Sequence, residues 1–265
     1  MGLQQIVLKM SDGDCPVAVV TPEGTGPWPA VVLFMDAGGI RPGIIAMATR
    51  LAGAGYMALV PDLFYRFGPY APLVPAEVFK GDFRATIGPM MATTNNHKAA
   101  ADTGPLLDWL GLHPDTRDQR IGVVGYCMGG GMALTAAARF PDNVAAVASF
   151  HGGKLADDSE YSPHLLARDI RAEVYVASAD SDDSYPLDMA ERLQKRFRTP
   201  MCATNARFMP APCMAGRCRI SRFTAMKRRN APGPNCWRCS RVRLAAATRA
   251  IRRRRAAPSS PSASR

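Results

Sequence analysis

Residues Gly125-Tyr126-Cys127-Met128-Gly129 follow directly on the apolar run Ile121-Gly122-Val123-Val124. A G-x-nucleophile-x-G segment after a buried strand marks a chain that turns sharply into a helix and presents its central side chain on a strained backbone. Gly125 and Gly129 suit the turn because strand and helix approach too closely there for a Cβ. Cys127 would then stand at a helix N-terminus, where the helix dipole favours a thiolate. A thiolate so presented is a nucleophile for a carbonyl carbon. The competing reading is a Gly-rich turn around an inert, buried cysteine. The strand signal before it, and the helix formers Met132, Ala133, Leu134 and Ala136-Ala137-Ala138 after it, favour the nucleophile.

Such an elbow needs a sheet to hold it. Val31-Val32-Leu33-Phe34 and Tyr56-Met57-Ala58-Leu59-Val60 are short continuous apolar runs, as are Val144 to Ala148 and Val174 to Ala177. Runs of this kind belong to strands buried on both faces. Helix-like stretches at roughly 42–54, 95–110, 129–139 and 187–197 alternate with them. This alternation predicts a mostly parallel sheet with helices on both faces. Segments around 3–9 and 15–21 read as an antiparallel opening pair. There is no internal repeat.

The chain resembles the dienelactone hydrolase family of α/β-hydrolases. The resemblance rests on P-A-V-V-L-F-M-D-A-G-G at 29–39, G-Y-M-A-L-V-P-D-L-F-Y-R at 55–66, I-G-V-V-G-Y-C-M-G-G at 121–130 and S-F-H-G-G at 149–153. It covers most of residues 1–195. It implies an α/β-hydrolase fold and a Cys-His-Asp triad that hydrolyses a lactone or small ester, with no cofactor. Cys127 matches the nucleophile. Asp36 matches the position of a carboxylate beside the resting thiol, usually a glutamate. Asp182 in V-A-S-A-D-S-D-D-S matches the triad acid, with Asp180 its nearest competitor. The backbone N–H groups of Met128 and Ala37 match the oxyanion hole. Arg66 and Arg84 lie in segments that could offer a cation to a substrate carboxylate, or be plain surface arginines.

The triad order is nucleophile, acid, histidine. The four histidines are His97, His113, His151 and His164, and none follows Asp182. His151 ends a strand near the elbow and reads as structural. His97 and His113 read as surface residues and His164 as a loop residue.

The composition changes where the histidine is due. Residues 196–265 carry 18 Lys+Arg and no acid, whereas residues 1–195 carry 15 Lys+Arg and 22 Asp+Glu, so that +18 and −7 make the net +11. Residues 1–195 therefore read as the hydrolase domain, and 196–265 as a basic, disordered tail outside the family pattern. The last strand and last helix would be missing or non-native. A frameshift near Lys195 accounts for the change. Cys213-Met214-Ala215-Gly216 requires TGY-ATG-GCN-GGN, which from each third base reads His or Tyr, a forced Gly, then Trp where the codon allows. Over residues 209–224 the offset frame can give Y-A-G-A-L-H-G-W-T-M-P-D-F-P-V-Y, with a histidine in an H-G-W loop.

At face value, Cys213-x4-Cys218 with Cys236-x-x-Cys239 is a weak zinc-like spacing. The 18 basic residues would stick to nucleic acid without specificity. No signal peptide and no run near the length of a membrane span is present. Cys15 and Cys127 are the only cysteines before residue 196, which suits a reducing compartment such as the cytoplasm. The expected partner is a small ester or lactone. No specific nucleic acid, membrane or metal is expected, and the oligomeric state is not legible.

Overall fold

A computed structural model describes residues 1–78, 80–117, 120–179, 182–198 and 206–211. Its strands are β1 (Gly2–Met10), β2 (Gly13–Thr21), β3 (Ala30–Phe34), β4 (Met57–Pro61), β5 (Ile121–Tyr126), β6 (Val144–Phe150), β7 (Glu173–Ala179) and β8 (Ala206–Ala211). They form one sheet in the order β1-β2-β4-β3-β5-β6-β7-β8. β1 and β2 are antiparallel, and β2 also meets β4 antiparallel. Every pairing from β4 to β8 is parallel. The α/β-hydrolase fold expected from the sequence is the fold found.

The centre of the sheet is apolar because both faces are covered. All residues of β3, β4 and β5 are buried. Leu33, Leu59 and Val32 are fully enclosed, and each such side chain contributes about 1.5–3 kcal/mol relative to exposure. α1 (Pro42–Gly53) starts with Pro42 in its first turn, where a missing N–H costs nothing. Two short helices, α2 (Pro75–Val78) and α3 (Phe83–Met91), follow; Asp82 caps α3 by accepting from the Ala85 N–H at 3.0 Å.

The expected helix over 95–110 is two helices, α4 (Asn96–Ala101) and α5 (Thr103–Leu112). Pro105 has no N–H for the carbonyl four residues back, so the ladder breaks at Asp102. α6 (Met128–Arg139) follows the elbow and is buried from Gly129 to Ala138. α7 (Leu187–Phe197) is amphipathic, burying Leu193 and Phe197.

β8 narrows one expectation. Of the two alternatives for the last strand, missing or non-native, the first is excluded: Ala206–Ala211 pairs with β7 in register from Val174↔Ala206 to Ala179↔Ala211. The boundary at 195 was drawn on charge. Strand pairing uses backbone groups that nearly every residue carries, and Pro210 is tolerated on an edge strand. The expected last helix and the cysteines of the tail lie outside the described residues.

Candidate active site

Three loops meet at the carboxyl ends of the parallel strands, the place where ligands bind in open α/β sheets. They follow β3, β5 and β7. The β5–α6 junction is tight by construction. A Cβ on Gly125 would come 1.9 Å from the Gly129 carbonyl oxygen, and one on Gly129 would come 2.6 Å from the oxygens of Phe34 and Met35. Only glycine fits at either place. Cys127 is consequently held at φ 53°, ψ −119° as the N-cap of α6. Its N–H donates to the Phe150 carbonyl at 3.0 Å, which ties the elbow to β6.

The other non-glycine residues with positive φ among the described residues are His151 (φ 42°) and Lys154 (φ 53°). Both lie just past β6, beside the elbow. Strain of this kind persists only where the surroundings enforce it, and it concentrates at functional sites.

The Cys127 thiol is pushed above its ordinary range. Burial is the largest cause, and the carboxylates of Asp36 and Asp182 add to it; the Met128 and Ala37 N–H groups, which hydrogen-bond the sulfur, pull the other way. This corrects the expectation of a dipole-favoured thiolate. The helix terminus does point its amides at the sulfur, but desolvation and two like charges outweigh them.

The structure thus brings Cys127, Met128, Ala37, Asp36 and Asp182 into one neighbourhood. Asp36 is clamped by Arg41, whose Nη1 and Nη2 donate to Oδ1 and Oδ2 at 2.6 and 2.8 Å. The Gly38 N–H donates to the same Oδ1 at 2.9 Å. Asp182 accepts from the Ser184 N–H at 2.9 Å and the Ser184 hydroxyl at 2.5 Å. Asp180 lies outside the described residues.

Arg66 is not a cation offered to substrate. It is buried, with Asp102 in a two-pronged pair at 2.9 Å for both prongs and Asp12 on Nε at 2.5 Å. Tyr65 donates to Asp102 as well, at 3.1 Å. Arg84 is exposed on α3. The arginine paired with Asp36 is Arg41, which sequence reasoning missed. Nothing in A-G-G-I-R-P says that the loop folds back five residues to return a guanidinium to Asp36.

The histidines divide differently from the expectation. His97 packs edge-on to Tyr161 at 5.2 Å between ring centroids, and His113 lies against Trp109 at 4.5 Å. Both are half-buried rather than surface residues. His164 is buried, with Nδ1 2.8 Å from the Ser162 hydroxyl, and burial lowers its pKa. His151 is half-buried, its ring 6.1 Å from that of Tyr126. Cys15, within β2, is fully enclosed, and burial pushes its thiol up to about 12, so it is chemically quiet. Among the described residues no group of three or more His, Cys, Asp or Glu side chains could hold a metal ion. No helix among them is long and apolar enough to cross a membrane.

Known proteins share this fold and match much of this chain. The "Putative carboxymethylenebutenolidase" of Methylorubrum extorquens is 24% identical over 198 residues, covering 73% of this chain and 65% of that protein. The protein of the same description from Escherichia coli K12 is 27% identical over 180 residues, covering 66% of this chain and 63% of its own length. The match therefore spans a little under two thirds of these two relatives. Among solved structures, the "Putative Dienelactone Hydrolase" of Klebsiella pneumoniae superposes with a TM-score of 0.69 at 23% identity, covering 80% of this chain and 87% of that one. The dienelactone hydrolase of Anabaena variabilis gives 0.56 at 22% identity, covering 80% and 86%. The model of the dienelactone hydrolase family matches residues 15–208, beyond the change of composition at 195. The chain belongs to the dienelactone hydrolase family.

Proposed function

We propose that this protein is a lactone or small-ester hydrolase whose nucleophile is Cys127, and that the chain as written is impaired because its triad lacks a histidine. The observation that carries the proposal is the elbow. Cys127 is the strained residue between β5 and α6, with two backbone N–H groups aimed at its sulfur. The names of the curated relatives support the substrate class.

In this reading the thiolate attacks the substrate carbonyl. The Met128 and Ala37 N–H groups hold the oxyanion that forms. The acyl group passes to Cys127 and the alkoxide or enolate leaves with a proton. Water then attacks the thioester and restores the thiol. A histidine would deliver and recover that proton, with Asp182 orienting it. No cofactor enters any step. A free thiol nucleophile suits a reducing compartment, and on that ground we assign the protein to the cytoplasm.

The missing base is the consequence of a frame change near Lys195. The offset reading supplies H-G-W where the triad histidine is due. Sequencing the locus tests this: an intact frame with no such offset reading sinks it. The activity is tested by restoring the frame and assaying thioester, ester and dienelactone hydrolysis, with Cys127→Ala as control. Turnover only after restoration, lost again in Cys127→Ala, is expected. No turnover in either form would instead make this a non-catalytic hydrolase-like domain with a basic interaction tail.

A further inference from the structure

The loop after β3 carries the Ala37 N–H that the proposed chemistry uses, and its sequence Ala37-Gly38-Gly39-Ile40 offers few side chains to hold it. Two glycines in succession leave such a loop many backbone conformations. Its place over the elbow must therefore be fixed by contact, because a donor out of place loses its effect. One anchor stands at its start. The Phe34 and Met35 carbonyls lie so close to Gly129 that a Cβ there would come 2.6 Å from each oxygen. Further along, the bonds of Gly38, Gly39 and Arg41 are internal. The Gly38 and Gly39 N–H groups donate to the Asp36 carboxylate and carbonyl at 2.9 and 3.2 Å, and Arg41 returns to Asp36. Bonds of this kind fix the shape of the loop, not its placement on the sheet.

Contact from outside the loop comes from Tyr70. A Cβ on Gly38 would find its nearest neighbours in Arg41 and Asp36, within the same loop. A Cβ on Gly39, which has φ 68°, would find all three in Tyr70: the hydroxyl at 3.0 Å and ring carbons Cε2 and Cζ at 3.3 and 3.5 Å. The phenol thus rests against the backbone at Gly39.

Tyr70 is itself held. Its hydroxyl donates to Asp62 Oδ1 at 2.9 Å, and the Phe64 N–H donates to the same oxygen at 3.0 Å. Asp62 directly follows β4, which pairs with β3 in parallel, so both loops leave the sheet side by side. The buried Phe64 ring meets Tyr70 edge-on, 6.0 Å between centroids. Four residues before Tyr70, Arg66 pins the segment to Asp102 at 2.9 Å through both terminal nitrogens.

We propose that Tyr70 is a positioning residue of the oxyanion site: held by Asp62 at the end of β4, its phenol braces the loop after β3 at Gly39 and so fixes the Ala37 N–H where the attacked carbonyl oxygen must sit. It acts through the loop and not on the sulfur. This rests on the reading of Cys127 as an acyl-transfer nucleophile and deepens it.

The test compares two reactions of the same thiol in the full chain, at one mildly alkaline pH. With p-nitrophenyl acetate, a carbon–sulfur bond forms through a tetrahedral oxyanion. The carbon–oxygen bond then breaks, and its electron pair leaves with p-nitrophenolate, which needs no proton, so the step needs no histidine. With iodoacetamide, the sulfur displaces iodide from a saturated carbon and no oxyanion forms. Acylation is read as the p-nitrophenolate release that Cys127→Ala abolishes. Alkylation is read on the tryptic peptide 121–139, bounded by Arg120 and Arg139, so that the other cysteines do not interfere.

Losing an oxyanion donor outright costs about 10²–10³, so loosening one by Tyr70→Ala should slow acylation about tenfold while alkylation keeps the parent rate. Tyr70→Phe keeps the ring on Gly39 and loses the bond to Asp62. It should slow acylation a few-fold, and it answers the same question if Tyr70→Ala does not fold. Equal slowing of both reactions would place the effect on the thiol or on the fold at large and overturn the proposal. Acylation at the parent rate without Tyr70 overturns this proposal alone. A parent whose p-nitrophenolate release does not depend on Cys127 overturns the nucleophile reading, and this one with it.

Discussion

The two sides of the site are built on different principles. On the β3–β5 side, position is enforced by backbone contact. Gly125, Gly129 and the Phe34 and Met35 carbonyls leave no room for another arrangement, and Cys127 has no freedom to relax its φ of 53°. On the β7 side, position depends on side-chain hydrogen bonds. Asp182 is held by Ser184 in a partly exposed loop, and β8 is joined to β7 by parallel pairing. The first side is set by contacts among β3, β5 and α6 alone. The second draws on segments later in the chain. On the function proposed above, the nucleophile keeps its presentation while the base that would serve it is absent.

The contrast can be broken most severely at the elbow. Gly125→Ala forces a Cβ to within 1.9 Å of a backbone oxygen. Neither partner is the end of a flexible side chain, so the β5–α6 turn must open. A loss of about 4 kcal/mol or more, in the exceptional class for one substitution, should leave little folded protein by urea titration with circular dichroism. A wild-type-like midpoint would mean that the elbow is not rigid.

The next effect lies in the buried ion pair beneath the same side. Arg66→Met strands the Asp102 carboxylate, which is 1% exposed. Breaking such a pair costs about 3–5 kcal/mol, whereas replacing both partners by apolar groups recovers much of it. The urea midpoint of Arg66→Met should fall accordingly, and Arg66→Met with Asp102→Leu should lie closer to the parent. Equal losses in the single and double variants would show that the pair is not what stabilises the region.

A third measurement concerns protons. Burial and the charges of Asp36 and Asp182 hold the Cys127 thiol above its ordinary range, so the thiolate is a small fraction at neutral pH. With no histidine to take the proton, Cys127-dependent hydrolysis in the chain as written should be slow and rise about tenfold per pH unit, the slope of a single deprotonation, until the thiol titrates. Restoring the frame should replace that slope by a plateau near neutral pH. A flat profile in the chain as written would mean that some other group already supplies the base.

How far the sequence went follows the same division. The elbow, the buried strands and the order of elements from β1 to β7 were legible, because each is written in local patterns: apolar runs, Gly spacing, helix formers. Asp36 and Asp182 were pointed to by resemblance, not by local pattern. Arg41, the break at Asp102 and β8 were not found. Arg41 depends on how a six-residue loop folds back. The helix break turns on one missing N–H at Pro105. β8 arises from backbone pairing that composition does not report. Arg66 was misjudged because its partner Asp102 stands 36 residues away, in a segment that reads as unbroken helix. The sign of the thiol shift was missed for a related reason: the helix terminus is visible in sequence, but burial and neighbouring charges are not.

The smallest effect tests the weaker side directly. Ser184→Ala removes the hydroxyl that donates to Asp182 at 2.5 Å and leaves the backbone donor at 2.9 Å in place. A single hydrogen bond to a charged group in a partly exposed loop is worth roughly 1–2 kcal/mol at most, so the urea midpoint should barely move. The functional consequence should depend on the frame. In the restored chain Asp182 has a histidine to orient, and a looser carboxylate should lower kcat a few-fold with KM unchanged, since the interaction strengthens as the imidazolium forms. On the proposed function the chain as written gives Asp182 no histidine to orient, and losing Ser184 should leave the residual rate unchanged. If both forms lose activity equally, the loop after β7 shapes the site rather than serving a triad. Asp182 would then act on the thiol as the electrostatics already suggest, as one more negative charge that opposes ionisation.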